Sequence, residues 1–239
     1  MKYLLFALPA TLFATQAFGQ QIELSGRATA SFSEFRGNNA ATTTSVNYTT
    51  ANSANSRAVN PFGKQLGTGG GLGLRAQRVG KIGLLTAFDL GYELMQARTT
   101  VNYLNYSSTV VNYGRTATGV NRLYTQAATA FVGVGWRLGQ DKKLQLDALL
   151  GPELAYVVTA REVGSGTTST GDWETNVKRS TANSLDFRLR GDVTVWRGRV
   201  GLAASYSWGF TNYATGITNV ADPQAYARLV RVGLAYRFK

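Results

Sequence analysis

The chain has 239 residues and a formal charge of +12, from 25 Lys plus Arg against 13 Asp plus Glu, with neither Cys nor His. Without Cys there is no disulfide framework and no thiolate metal site; without His the commonest general base and metal ligand are missing. The length suits one domain or one barrel, and the charge taken alone points to an anionic partner such as nucleic acid or a lipid surface.

Residues 1–19 read as a secretory leader. Lys2 gives the positive start, Tyr3 to Phe13 is a short apolar run, and Ala17-Phe18-Gly19 supplies small residues before a cut at Gln20. An uncleaved anchor fits less well, because the run is too short to cross about 30 Å of hydrocarbon as a helix and Pro9 interrupts it. No Cys follows the leader, so a lipidated N-terminus is excluded. After residue 19 no apolar run is long enough for a transmembrane helix. An exported chain of this kind is periplasmic, extracellular or an outer-membrane barrel.

The remainder, 20–239, alternates with period two, the spacing that puts successive side chains on opposite faces of a strand. The first predicted strand, 21–35, carries Ile22, Leu24, Ala28, Ala30 and Phe32 on one face. Glu23, Arg27 and Ser31 lie on the other. A polar stretch rich in Asn, Thr and Ser, 36–66, reads as a long loop. The second strand, 67–78, is dominated by glycine, with Leu72 and Leu74 outward and Arg75 inward. A tight turn leads to the third, 81–96, with Leu84, Phe88, Leu90, Tyr92 and Leu94 on one row and Asp89 and Glu93 on the other.

A second polar loop covers 97–121. The fourth strand, 122–138, sets Val132, Val134, Trp136 and Leu138 outward. After a short turn comes the fifth, 143–158, with Leu144, Leu150, Leu154 and Tyr156 outward and Asp147 and Glu153 inward. Pro152 cannot donate to a ladder, so a bulge or local break is expected there. A third long loop, 159–183, precedes the sixth strand, 184–196. In it Leu185, Phe187, Leu189, Val193 and Val195 face Asp186, Arg188, Arg190 and Asp192 across the wall. A turn at Arg197-Gly198 leads to the seventh strand, 199–210, and a fourth loop to the eighth, 225–239, with Arg231 and Arg237 on the inward row.

Connections therefore alternate long and short. That pattern is expected of an all-β, eight-stranded antiparallel transmembrane β-barrel with short periplasmic turns and long extracellular loops. In a soluble lipid-binding barrel the apolar rows would face inward. Here the charges share a row with Gly, Ala and Ser, which suits a narrow polar interior. Phe32, Tyr92, Tyr156, Trp208, Phe210 and Tyr226 are expected at one end of the wall and Trp136, Trp196, Tyr236 and Phe238 at the other, as two interfacial girdles.

The leader, the eight alternating strands and the ending Gly233-Leu234-Ala235-Tyr236-Arg237-Phe238 resemble OmpA/OmpX-type outer-membrane β-barrel domains, particularly those of the Bacteroidota. The resemblance covers the whole mature chain and implies a bare barrel of the porin-like families. It further implies that the barrel-assembly machinery reads Tyr236 and Phe238, although Lys239 displaces the aromatic from the last position.

Three chemistries can be weighed. The inward set Glu23, Arg27, Arg75, Asp89, Glu93, Asp147, Glu153, Asp186, Arg188, Arg190, Asp192 and Arg231 is expected to form an internal ion-pair network filling the barrel; a charged pore lining is the alternative. Catalysis is not expected: no His is available, and Asp89 and Glu93, four apart on one strand face, lie about 13 Å apart, too far for a direct couple. The Gly67–Gly73 run lacks the spacing and the following helix of a phosphate loop. No cofactor or metal is expected. The basic residues divide between the short-turn rim (Arg78, Lys81, Lys142, Lys143, Arg197, Arg199, Arg237, Lys239) and loops 1 and 2 (Arg36, Arg57, Lys64, Arg98, Arg115, Arg122). The expected partners are outer-membrane lipids, with lipopolysaccharide at the second group, and not nucleic acid. The expected role is non-enzymatic, in membrane integrity or surface interaction; a narrow channel for small solutes is the alternative.

Overall fold

A computed structural model describes residues 21–49, 56–107, 112–140, 142–179, 184–215 and 222–238. The expected leader and Lys239 lie outside the described residues. Eleven strands among the described residues form one sheet: β1 (Gln21–Arg36), β2 (Thr43–Tyr48), β3 (Arg57–Ala58), β4 (Gly67–Val79), β5 (Leu84–Ser107), β6 (Asn112–Leu138), β7 (Leu144–Thr168), β8 (Gly171–Arg179), β9 (Leu185–Arg197), β10 (Val200–Gly209) and β11 (Tyr226–Arg237).

Eight of these strands close a ring. β1 pairs with β4, and the order continues through β5, β6, β7, β9, β10 and β11 back to β1, with antiparallel register at each joint. The seam runs from Ser25↔Arg237 to Arg36↔Tyr226. Closure satisfies the backbone of both terminal strands and leaves the ring no free edge. Short turns join the strands at one end. Gly80 N donates to Leu84 O at 2.8 Å while Gly83 takes φ +84°, and Gly198 takes φ +61° between the paired Arg197 and Val200. Positive φ at these two positions is a conformation glycine adopts without steric cost.

The alternation decides which row meets the outside. Leu72, Leu74, Leu90, Leu150 and Leu202 are exposed, and Ile82 at the short-turn end is 82 % exposed. Their neighbours Arg75, Asp89, Glu153, Arg188 and Asp192 are buried inside the ring. The apolar rows thus form an outer belt, and the soluble arrangement with a greasy interior is excluded.

Three strands outgrow the ring. β5, β6 and β7 have 24, 27 and 25 residues, whereas β4, β9 and β10 have 13, 13 and 10. Beyond Gly70↔Leu94, β4 leaves β5, and β2 takes over that edge in parallel from Thr43↔Thr100. Beyond Tyr156↔Leu185, β9 leaves β7, whose edge is then taken by β8. The result is an upper tier in the order β3-β2-β5-β6-β7-β8. This corrects the reading of 36–66, 97–121 and 159–183 as long irregular loops. Their Thr, Val, Tyr and Trp residues are strand formers, but their outer rows are polar, so no apolar belt announced them.

The core follows the same division. Around the lower interior lies a patch of Leu85, Ala87, Phe131 and Leu149. Where the tiers join, Phe35, Phe62, Met95, Leu123, Val157, Tyr213 and Leu229 form an apolar layer. Higher up, Val46, Ala58, Val101, Leu104, Ala117 and Trp173 form another. At Pro152 the local break is found and the bulge is not: pairing to β6 stops at Phe131↔Glu153 and resumes at Val134↔Leu150 in the same register, while a bulge falls at Val158, between Gln126↔Thr159 and Ala127↔Val157. Pro152 remains paired with Leu189 on the other side.

Candidate functional site: the charged interior and the basic rim

Inside the lower ring, arginines and carboxylates make two connected groups. At the short-turn end Arg137 binds Glu23 (Nη1···Oε1 2.7 Å) and Asp147 (Nε···Oδ1 2.6 Å). Gln77 donates to both acids, and the Trp196 indole N–H donates to Asp147 at 2.8 Å. The Arg237 guanidinium lies 4.0 Å from the Trp196 ring centroid and 3.2 Å from Glu23.

The second group fills the middle. Arg75 binds Asp89 (2.6 Å) and Asp192 (3.0 Å), while Arg27 reaches Asp192 at 2.7 Å. Arg190 links Asp192 (2.6 Å) to Glu153 (3.2 Å), and Arg231 links Glu93 (2.6 Å) to Glu153 (2.9 Å). Arg188 joins Asp186 (2.6 Å), Glu93 and Glu153. Tyr213 closes the top by donating to Asp186 at 2.9 Å.

Every one of the twelve residues singled out in the sequence sits in these groups; eleven are buried and Glu23 is half-buried. Arg237, also expected on the inward row, joins the first group, and the structure adds Arg137, Gln77, Trp196 and Ser207, which accepts from Arg231 at 2.6 Å and donates to Glu153 at 3.1 Å. With Arg137 and Arg237 the column holds seven arginines (27, 75, 137, 188, 190, 231, 237) and seven carboxylates (23, 89, 93, 147, 153, 186, 192), so its formal charges cancel. Taking a charge out of water is tolerable only where partners satisfy it, and here each has at least one. A cavity of about 50 Å³ remains beside Arg27, Asp89, Glu93 and Arg190, room for a water or two.

Parity alone would have found Arg137, since Trp136 and Leu138 on either side face outward at 57 % and 61 % exposure. It would also have moved Trp196. That residue was expected in an outer aromatic girdle, but it lies between outward Val195 and Arg197 and is buried inside. Gly201 opposite makes the room, because a Cβ there would come within 2.7 Å of the indole. Trp136, Tyr236 and Phe238 do lie exposed at that end. Phe238 folds over Gly26, donating its N–H to Leu24 O at 2.9 Å, with its ring 6.0 Å from Tyr236.

The six basic residues expected on loops 1 and 2 separate. Arg36 pairs with Glu34 at 2.7 Å. Arg115 sits at the far tip over the stacked rings of Tyr106 and Tyr113 and donates to Thr170. Arg57 lies in β3 and Lys64 is exposed beyond it. Arg98 and Arg122 face each other directly across β5 and β6.

In the upper tier Glu162 is fully buried. It accepts from the Ala58 backbone N–H and pairs with Arg179 at 2.7 Å, while Arg179 donates to Ala58 O. This clamp ties β3 to the β7–β8 hairpin and protects the edge of that sheet. Burial raises the Glu162 carboxyl above its ordinary value; Arg179 offsets this only in part. No group of three His, Cys, Asp or Glu suited to a metal occurs among the described residues.

The molecule is thus a β-barrel with an apolar exterior and a neutral, ion-paired interior. No protein-family model matches the chain, and neither does any curated protein. Among solved structures it is similar to Ail, the attachment invasion locus protein of Yersinia pestis, at 12 % identity, covering 92 % of this chain and 99 % of that one with a TM-score of 0.36. It is also similar to the neisserial surface protein NspA, at 12 % identity, 90 % and 97 % coverage and a TM-score of 0.37. The class given above rests on this chain's own strand pairing and burial.

Proposed function

We propose that this chain is a non-enzymatic outer-membrane protein, an eight-stranded antiparallel barrel crossing the bilayer with its short turns in the periplasm. Its upper tier stands outside the cell as a rigid surface serving membrane integrity or surface interaction. Support for the crossing comes from the apolar belt, whose strands reach the roughly 9–11 residues a tilted span requires. Interfacial aromatics at both ends of the belt agree with it.

The observation that carries the closed, non-conducting reading is the neutral column of seven arginines and seven carboxylates, topped by the Phe35, Phe62, Tyr213 and Leu229 layer. A porin-like channel would need a continuous wet path through both. In planar bilayers the purified chain is expected to show no steady open state; a persistent unitary conductance would instead establish the channel. Tyr236, exposed on β11, and Phe238, exposed just after it, are the proposed contact for the assembly machinery. Substituting both with Ala is expected to lower the folded fraction in cells more than in purified vesicles.

A further inference from the structure

We infer that the outer wall carries a binding site for the phosphate of an outer-leaflet lipid, built by Arg98, Arg122, Arg161 and Lys178. This rests on the membrane-spanning reading above and names a partner for one face of it.

Arg98 on β5 and Arg122 on β6 are register partners, and Arg161 on β7 is the register partner of Lys178 on β8. Arg122 is opposite Val163, which sets Arg161 on its diagonal, about 7–8 Å away across the ladder. Arg98, Arg161 and Lys178 are exposed and Arg122 is half-buried. Four positive side chains therefore share one patch of outer wall. Like charges directly opposite one another destabilise a strand pair. No acid among the described residues relieves this one: the same-face neighbours are Thr100, Tyr124, Val120 and Gln96, which is buried and accepts from Thr68 N–H, and the acids of β8, Glu174 and Asp172, lie four and six residues from Lys178. Among the described residues Asn176 engages the patch, accepting from Arg161 Nε at 2.7 Å. The arrangement is unfavourable by itself and becomes favourable with a dianion over it.

Height along the wall selects the source of that anion. The outward row of β5 runs apolar to Leu94, then Gln96, then Arg98. On β7 the row ends at Val158, before Arg161. The patch thus begins three to four residues, about 10–13 Å along the strands at a rise of about 3.3 Å per residue, beyond the belt, which is headgroup depth. Among the described residues the opposite side of the rim offers no equivalent. Its Arg36 is held by Glu34, and its Arg228 lies 4.4 Å from the Trp208 ring centroid and donates to Gly209 O at 2.8 Å. Arginine suits the role because its planar fork matches phosphate oxygens bidentately.

The test uses the full chain folded in maltoside micelles doped with phosphatidic acid or phosphatidylcholine, with retained lipids counted by native mass spectrometry. The wild-type chain is expected to retain phosphatidic acid preferentially. Arg98→Gln with Arg122→Gln should weaken that retention about 30-fold, the combined contribution of two basic residues at an anionic lipid surface. Arg57→Gln with Lys64→Gln removes the same charge elsewhere and should leave it unchanged. Folding of both variants is checked by heat-modifiable gel mobility, and the first should be at least as stable as wild type without lipid, because its strand-pair repulsion is gone. The site is refuted if the two double variants behave alike, or if millimolar inorganic phosphate displaces the lipid, which would show a free-phosphate site. A chain that stays soluble without detergent would instead refute the membrane-spanning reading itself; that outcome is distinct from a detergent-requiring barrel with no lipid preference.

Discussion

The lower ring and the upper tier share three strands, β5, β6 and β7, with opposite insides. Along β5, Asp89 and Glu93 point in while Leu90 and Tyr92 point out; a few residues on, Val101 and Leu104 point in while Arg98 and Asn102 point out. On the membrane-spanning reading proposed above, the strand continues while the solvent changes. In oil the outer row must be apolar and polar groups must find partners inside, whereas in water a buried apolar row provides the stability. The changeover is marked by the layer around Phe35, Met95, Leu123 and Tyr213, and then by the basic patch. A sheet can thus stay hydrogen-bonded across an interface if only its side-chain rows exchange character.

That contrast can be broken from either side. The largest effect is expected inside the ring. Arg188→Met leaves Asp186, Glu93 and Glu153 buried with one partner fewer, and removing one partner of a buried ion pair costs about 3–5 kcal/mol. Urea titration of vesicle-folded protein should show it as a lowered midpoint. Next comes the belt. Leu90→Arg, on the lipid face near mid-span, should cost about 2–4 kcal/mol, while Asn102→Arg on the same strand in the upper tier should change stability by less than about 0.5 kcal/mol. Equal effects at the two sites would remove the distinction between the tiers.

A smaller effect concerns the clamp. Glu162→Ala leaves the Ala58 N–H without its acceptor and Arg179 without its carboxylate, and an orphaned buried partner costs about 1–3 kcal/mol. The loss should appear as faster amide exchange in β2 and β3, with the lower ring unchanged. The smallest effect is the clamp's pH response. Because burial raises the Glu162 carboxyl, the folded tier favours the protonated form. Its contribution is therefore fully present at low pH and is lost as pH rises through the raised value. In a variant keeping only Trp173, acrylamide quenching should fall on acidification through that range, and Glu162→Gln should flatten the response.

The ring was legible in the sequence because an apolar outer row against a charged inner row follows a strict period-two rule. Rows such as Leu144, Leu150, Leu154 and Tyr156 against Asp147 and Glu153 have one reading once the connections alternate in length. The network followed from the same parity, and its partners Arg137 and Trp196 were missed only where parity was not applied to an arginine between Trp136 and Leu138 and to a tryptophan next to Val195. The upper tier was not legible for a physical reason. Its outer rows of Thr, Asn and Arg look like loop, and its core takes one residue at a time from distant segments: Val46, Val101 and Trp173. Its edges are closed by β2 pairing in parallel and by Glu162 reaching Ala58, neither of which leaves a local pattern. The basic patch likewise exists only in register, since Arg98, Arg122, Arg161 and Lys178 are scattered along the chain.

The exchange of inside and outside along one strand is tested most directly by scanning β5 with single nitroxide labels in liposomes and measuring collision with oxygen and with a water-soluble nickel chelate. Labels at 84, 88, 90, 92 and 94 should meet oxygen and exclude the chelate, labels at 98 and 102 should meet the chelate, and labels at 101 and 104 should meet neither. Free access of the chelate to the first set, or oxygen-rich, chelate-free behaviour continuing to 102, would contradict it.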